Sequence, residues 1–325
     1  MTTDALRPTT FEEFSGQPET LSQLQTIVTA AAQREEMPTH ILLHGPPGLG
    51  KTTLAAVTAG ALGVPLETTQ APSLERGADL AGVLTRLPDR GSVLFIDEIH
   101  ALDPTIEELL YPAMEDGRLD IILSQGTGGR SAQVPLAPFT LVGATTQAGK
   151  LSSPLRDRFG FQARLQPYPD DALVEILTRS ARLLDVTLDE DAAGVIAARS
   201  HGTPRKANNL LRLVRDWAQL HSDGHITVDA AHAGLAAFGV DDRGLDRTAL
   251  ALLHALADAG RPVGVRALAA AIDESSDTVE SVYERTLMNH GLLSRTQQGR
   301  IITDKGLAHI GRSRDSQPSL LDGSA

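Results

Sequence analysis

Residues His40–Leu54 read HILLHGPPGLGKTTL, and the rest of the chain is best understood from them outward. Ile41-Leu42-Leu43 have the unbroken apolar character of a buried strand, and the run stops abruptly at Gly45. A loop of Gly and Pro follows, and Lys51-Thr52-Thr53 open an Ala/Leu-rich helix. Glycines at 45, 48 and 50 free the backbone to turn its N–H groups inward on an anion. The helix N-terminus adds partial positive charge at the same point. Lys51 has the reach for β- and γ-phosphates, and the Thr52 hydroxyl suits Mg²⁺. A full G-x-x-x-x-G-K-T pattern between strand and helix predicts a nucleoside triphosphate site.

Composition sets bounds on what surrounds that site. A chain of 325 residues exceeds one ordinary core and implies two or three domains. With 41% hydrophobic and 22% charged residues it has the make-up of a folded soluble protein. Aromatics at 3% argue against stacking platforms for single strands. The absence of cysteine excludes disulfides, Cys-ligated metals and thiol chemistry. MTTDALRPTTFEEF lacks the pattern of a signal peptide and no apolar run approaches a membrane span, so a cytoplasmic protein with no membrane partner is expected. The net charge of −12 opposes an unaided grip on DNA, so any DNA contact requires local basic groups or a partner.

Either side of the loop the chain reads as an α/β domain. Leu6–Gln17 (LRPTTFEEFSGQ) is an extended lead-in to a helix over about 19–34, and 65–69 is a candidate second strand. Ser92–Glu98, SVLFIDE, delivers Asp97 and Glu98 to a strand's carboxyl end, where ligands bind in open α/β sheets. Downstream of a phosphate loop, Asp97 reads as the Mg²⁺ carboxylate and Glu98 as the group that polarises the attacking water. A helix over 104–116 follows, and the alternation over 118–136 predicts a β-hairpin, which serves either as ordinary surface or as a partner contact. Phe139–Thr146 (FTLVGATT) is a buried strand ending in hydroxyls. Thr146 there either senses the γ-phosphate or is a satisfied strand end. In LSSPLRDRFGF (151–161), Arg156 and Arg158 beside Asp157 form either a surface ion pair or, in a ring-forming ATPase, a finger for the neighbour's nucleotide.

Pro167-Tyr168-Pro169 marks a domain boundary. Beyond it the pattern is helical over 170–184, 189–200, 204–222 and 227–238, with Thr203-Pro204 a start signal for the third helix. Arg205 on that first turn is either a solvated charge or a group reaching the phosphates. After a linker at Asp241–Gly244 come helices over 246–258, 264–271 and 275–290. Two strand-like arms then flank Gln298-Gly299. This is the order of a winged helix-turn-helix or of a small protein-interaction domain, with Arg295, Arg300 and Lys305 as its local cations. The tail, 313–325, has a disordered composition.

Taken together, HGPPGLGKTTLA, LFIDEIHAL, EELLYPAMEDGRLDI, FTLVGATT, SPLRDRFG and GTPRKANNLLRLVRD resemble the AAA+ ATPases, and more narrowly the RuvB family of Holliday-junction branch-migration motors. The resemblance implies an AAA+ core over 1–168, a helical lid over 169–240 and a winged-helix domain over 241–312. It implies ATP and Mg²⁺ bound by Gly45, Gly48, Gly50, Lys51, Thr52 and Thr53, with Thr52 and Asp97 at the metal. Glu98, Asp97, Thr146 and Arg158 become catalytic, Thr146 as first sensor and Arg158 as finger. Arg205 becomes the second sensor, and Leu6, Arg7, Glu115, Asp116, Gly117 and Tyr168 line the nucleotide site. Double-stranded DNA at Holliday junctions meets Arg295 and Arg300. The hairpin docks on RuvA, the subunits form a homo-hexamer, and RuvC is a further partner. RuvA's grip on the junction also explains how an acidic motor works on DNA.

The chain departs from the family pattern in places. Its wing reads Arg295-Thr296-Gln297-Gln298-Gly299-Arg300 where R-T-P-R-G-R is usual, so one cation and one proline are missing and a shallower salt dependence follows. Arg285 stands in a segment where E-P-Y-L is usual and offers partial compensation. Gln147 replaces an arginine, and the hairpin tip is GTGGR. A clamp-loader-type AAA+ switch shares the same ATPase centre, but such proteins usually lack a winged-helix terminus. A nucleotide-gated binding protein is disfavoured by intact Glu98 and Arg158, and an unfoldase by the lack of an aromatic pore loop.

Overall fold

The structure is a computed structural model that describes residues 6–122 and 131–313. The expected hairpin tip and the tail from residue 314 lie outside the described residues.

The chain divides into two compact units. The first runs through Ala197 and takes in Gly202–Leu211. The second holds Ala198–His201 and continues from Arg212. The division falls between Leu211 and Arg212, inside one helix.

The first unit is built on a parallel sheet. Its strands are β1 (Ile41–His44), β2 (Leu66–Gln70), β3 (Ser92–Asp97), β6 (Phe139–Thr145) and β7 (Phe161–Arg164), in the order β2-β3-β6-β1-β7. The helices are α1 (Pro18–Gln33), α2 (Lys51–Leu62), α3 (Gly77–Leu84), α4 (Pro104–Asp116) and α5 (Ser153–Asp157). Every residue of β6 is buried, and so are the first five of β3, as expected of continuous apolar runs in a parallel sheet. Edge strand β2 is mostly uncovered. One core under the sheet joins Leu80, Leu84, Leu94, Ile96, Ile106, Leu110 and Leu155, so α3, α4 and α5 share a single apolar foundation. The chain order reverses at β1, which lies between β6 and β7, and a ligand crevice is expected at such a point. A two-stranded antiparallel hairpin, β4 (Arg118–Ile122) with β5 (Ser131–Pro135), follows α4. Helices α6 (Asp170–Leu183) and α7 (Glu190–Ala198) come next, then α8 (Pro204–His221).

Sequence reading anticipated most of these elements to within two residues. It left out α3, which opens with Arg76 at the N-cap and Gly77 as first residue, neither a usual start signal, and β7, a short sheet-edge strand with half-polar composition.

In the second unit the later turns of α8 pack beneath α9 (Val228–Ala237), where Gly234 brings its backbone against Val214 and Trp217. The C-terminal part contains α10 (Arg247–Ala259), α11 (Val265–Ala271), α12 (Ser276–Thr278), α13 (Arg285–Asn289), strands β8 (Leu293–Thr296) and β9 (Gly299–Ile302), and α14 (Asp304–His309). Helix–helix–helix–hairpin is the winged-helix order, and Leu252, Leu253, Leu256, Val279, Leu287 and Leu292 form its core. The expected continuous helix over 275–290 is interrupted by a π-turn at Val279–Glu284. The wing arms close around Gln297-Gln298, one residue earlier than expected.

Candidate active site

The loop after β1 curls as its glycines dictate. Gly45, Gly48 and Gly50 have φ of 142°, 79° and 99°, conformations that a side chain strains to adopt. Space is restricted as well, since a Cβ on Gly45 would lie 2.7 Å from the Leu165 carbonyl oxygen and one on Gly48 2.7 Å from Thr203 Cγ2. Lys51 begins α2 with its side chain buried, and Nζ donates to the carbonyls of Gly45 (2.8 Å) and Pro46 (3.0 Å). Burial lowers the Lys51 pKa, while the nearby Asp97 and Glu98 carboxylates work the other way.

Asp97 and Glu98 emerge at the carboxyl end of β3. Glu98 sits in the left-handed region at φ 50°, and its amide donates to Asp97 Oδ1 at 3.0 Å. Thr146, just past β6, donates through Oγ1 to Glu98 Oε2 at 3.1 Å, and its N–H lies 3.4 Å from the same oxygen. His100 Nδ1 lies 3.2 Å from Glu98 Oε2 and 2.8 Å from Thr145 Oγ1. The carboxylate is therefore fixed from two sides at the end of the central strands.

A single cleft at this point is lined by Leu6, Arg7, Gly48, Gly50, Lys51, Thr52, Thr53, Asp97, Glu98, Thr146, Tyr168 and Arg205. Twelve residues named from sequence thus meet in one place. Gly45 supports it through its carbonyl bond to Lys51. Tyr168 is buried, its hydroxyl donates to the Leu49 carbonyl at 3.0 Å, and burial pushes its pKa well above the ordinary phenol value. Arg205 comes from the first turn of α8, where its amide lies 3.4 Å from the Gly48 carbonyl oxygen. Thr52 and Asp97 supply the hard oxygen donors that Mg²⁺ prefers, few in number as usual for an ion also held by phosphates.

Four predicted residues lie elsewhere. Glu115, Asp116 and Gly117, expected at the nucleotide, close α4 away from the cleft lining, and Glu115 and Asp116 pair with Arg158 and Arg118 (both 3.1 Å). Arg158 is absent from the cleft as well. Its guanidinium stacks on Tyr111, 4.1 Å from the ring centroid, and Nη1 donates to the Pro154 carbonyl.

Sequence reading missed Phe14, Ile176, Arg179 and Asn208 in the cleft wall. Arg179 of α6 donates to the carbonyls of Leu6 (2.8 Å) and Arg7 (3.2 Å), fastening the lead-in segment. Nothing local in the sequence marks these positions, which join only through the fold.

The two wing arginines differ in their surroundings. Arg295 and Arg300 are directly opposed across β8 and β9, so both side chains face the same way. Strand β9 also pairs with Val263 on its other side, and this interior position leaves Arg300 only 6% exposed. Arg300 donates to Glu284 (2.8 and 3.1 Å) and Glu280 (2.6 Å), so its charge is neutralised within the domain. Burial works against that charge, but the two carboxylates outweigh it and raise the Arg300 pKa. Arg295, on the edge strand, keeps a side-chain exposure of 60%. Arg285 and Lys305 are also exposed. We expect Arg300→Met to cost about 3–5 kcal/mol in winged-helix stability, because buried Glu284 loses both hydrogen bonds from Arg300 and keeps only Arg295 Nη1 at 3.7 Å. Arg300→Met combined with Glu284→Leu should recover most of that in thermal unfolding. Arg295→Ala should leave stability unchanged and reduce the salt slope of duplex binding by about one.

A phosphate loop after β1, an Asp–Glu pair ending β3, a threonine just past β6 and an arginine on a helix beyond the sheet define a P-loop ATPase of the AAA+ class. Three family models match in succession: the Holliday junction DNA helicase RuvB P-loop domain over residues 6–165, the RuvB AAA lid domain over 168–241 and the RuvB C-terminal winged helix domain over 242–311. The chain belongs to the RuvB family of P-loop ATPases, the motors of Holliday-junction branch migration. The Holliday junction branch migration complex subunit RuvB of Corynebacterium glutamicum is 51% identical over 94% of this chain and 85% of its own. That of Corynebacterium aurimucosum is 50% identical over the same shares. Among solved structures, the Thermotoga maritima RuvB Holliday junction branch migration motor superposes with a TM-score of 0.82 at 42% identity, over 95% of this chain and 99% of that one.

Proposed function

We propose that the chain hydrolyses ATP at the contacts between subunits of a homo-hexameric ring, and that the resulting strokes drive double-stranded DNA through Holliday junctions held by RuvA. The observation that carries this reading is the position of Arg158. Every other hydrolytic group lines the cleft, whereas Arg158 is held on α4 outside it. An arginine so placed suits the nucleotide of a neighbouring subunit.

In this reading Glu98 polarises the attacking water, Lys51 holds the β- and γ-phosphates and Arg158 arrives from the neighbour to spread the transition-state charge. Thr52 and Asp97 would hold Mg²⁺, whose chemistry there would be to neutralise phosphate charge. Thr146, bonded to Glu98, and Arg205, on the first turn of α8, sense loss of the γ-phosphate and release the helical lid, and the winged-helix domain moves in response. Exposed Arg295, Arg285 and Lys305 supply the contacts to duplex phosphates. The β4–β5 hairpin is the surface for RuvA, and RuvC joins as a resolving partner. The domains of this reading are 1–168, 169–240 and 241–312. Among the described residues no helix is long and apolar enough to cross a membrane.

The test is ATP turnover with duplex DNA, with and without RuvA, beside migration of a synthetic four-way junction. Stimulation by both, and ATP-dependent strand exchange, are expected. Turnover indifferent to DNA and RuvA would leave a generic AAA+ ATPase.

A further inference from the structure

Arg158 sits at the C-terminal end of α5, a helix of only five residues. Such a helix has little stability of its own, and an arginine side chain has many rotamers that productive contact must narrow to one. The structure holds both in place from one face of α4. Glu107, Tyr111 and Glu115 are spaced by four residues, which aligns them along that face.

Glu107 is a buried carboxylate, 7% exposed, and accepts from Ser152 Oγ at 2.5 Å. Ser152 is the N-cap of α5 and accepts in turn from the Leu155 amide at 3.3 Å, so Glu107 ties down the start of the short helix. Tyr111 turns its hydroxyl toward the same carboxylate, 3.4 Å away, and its ring lies beneath the Arg158 guanidinium. Glu115 completes the row with its 3.1 Å ion pair to Arg158 Nη2. The guanidinium plane is thereby set by a ring, a carboxylate and the Pro154 carbonyl before any phosphate is met.

We propose that Tyr111 and Glu115 are positioning residues for Arg158, and that Glu107, through Ser152, sets the helix that carries it. The proposal rests on the reading of Arg158 as a group acting on a neighbouring subunit. Pre-ordering matters there because orientation errors of about 1 Å cost on the order of a hundredfold in rate, and a ring face under a cation restricts orientation without blocking its outer donors. It also accounts for the location of Glu115, which shapes the finger rather than its own chain's cleft.

The experiment compares steady-state ATP turnover of full-length wild type, Tyr111→Leu, Tyr111→Phe and Arg158→Ala, each alone and mixed in equal amounts with Glu98→Gln. Tyr111→Leu should lose about tenfold in kcat with KM for ATP unchanged. Tyr111→Phe, which keeps the ring, should stay within about twofold. In the mixture, half of the Tyr111→Leu subunits receive a well-posed finger from a Glu98→Gln neighbour, so turnover per Tyr111→Leu subunit should rise about fivefold. A folding defect would show no such rise. An unchanged kcat in Tyr111→Leu, or a deficit that Glu98→Gln does not relieve while it does relieve Arg158→Ala, overturns the positioning role. If Arg158→Ala is not relieved either, the intersubunit reading has failed instead.

Discussion

Glu98→Gln should bind ATP with nearly wild-type affinity and hydrolyse it at least a hundredfold more slowly. The substitution preserves shape, so the amide still lies within reach of Thr146 and His100, which hold the carboxylate at 3.1 and 3.2 Å. What disappears is the negative charge that draws a proton from the attacking water, a contribution of about 10²–10⁴ in rate. The backbone should tolerate the change, since Gln inherits the left-handed conformation at φ 50° that Glu98 already occupies at the tight turn after β3. Single-turnover hydrolysis and titration with a fluorescent ATP analogue separate the two effects. A rate within about threefold of wild type would remove Glu98 from the chemistry, and a large loss of affinity would make it a binding group instead.

The ATPase centre is legible in sequence because its demands are local. A phosphate cradle needs glycines where φ is positive, and Gly45, Gly48 and Gly50 all adopt such angles. A buried parallel strand needs an uninterrupted apolar run, and β3 and β6 show one that ends in Asp97 and Thr145. What was not legible depends on contacts distant in the chain. Arg179 reaches Leu6 and Arg7 across more than 170 positions, and no spacing rule connects them. Glu115 carries the motif of a nucleotide-lining residue, and its ion pair with Arg158 at the end of α4 is a contact that the motif does not announce.

The wing makes the same point about charge. As a string, residues 295–300 offer two arginines to DNA. In the fold, strand register sets the two cations side by side, an unfavourable arrangement unless carboxylates intervene. Glu280 and Glu284, one helical turn apart, provide them. The inner cation is thereby neutralised in the domain's own structure. With a net charge of −12 over the whole chain, the loss of Arg300 as a free cation removes one of the local basic groups that a phosphate contact requires.

Arg158→Ala should abolish turnover almost completely while leaving nucleotide binding and fold stability close to wild type. A finger that spreads transition-state charge contributes about 10³–10⁵ in rate, and its absence from the cleft of its own chain means ground-state binding does not depend on it. Stability should change little because the ion pair is to a half-exposed Glu115 and the remaining contacts, to the face of Tyr111 and the Pro154 carbonyl, leave no buried charge unpaired when the arginine is removed. Arg158→Lys should recover little, since an ammonium cannot reproduce the planar fork that lies on the ring while presenting further donors. The decisive comparison is an equimolar mixture of Arg158→Ala with Glu98→Gln. Each is inactive alone, but an Arg158→Ala subunit retains Glu98, and a Glu98→Gln neighbour lends it an intact Arg158. Recovery to about a quarter of wild-type turnover is expected if sites act independently, because half the subunits keep Glu98 and half of those gain a competent neighbour. A mixture as inactive as its parts, with rings still assembled by size-exclusion chromatography, would place the finger's action within its own subunit and require a different source of transition-state charge.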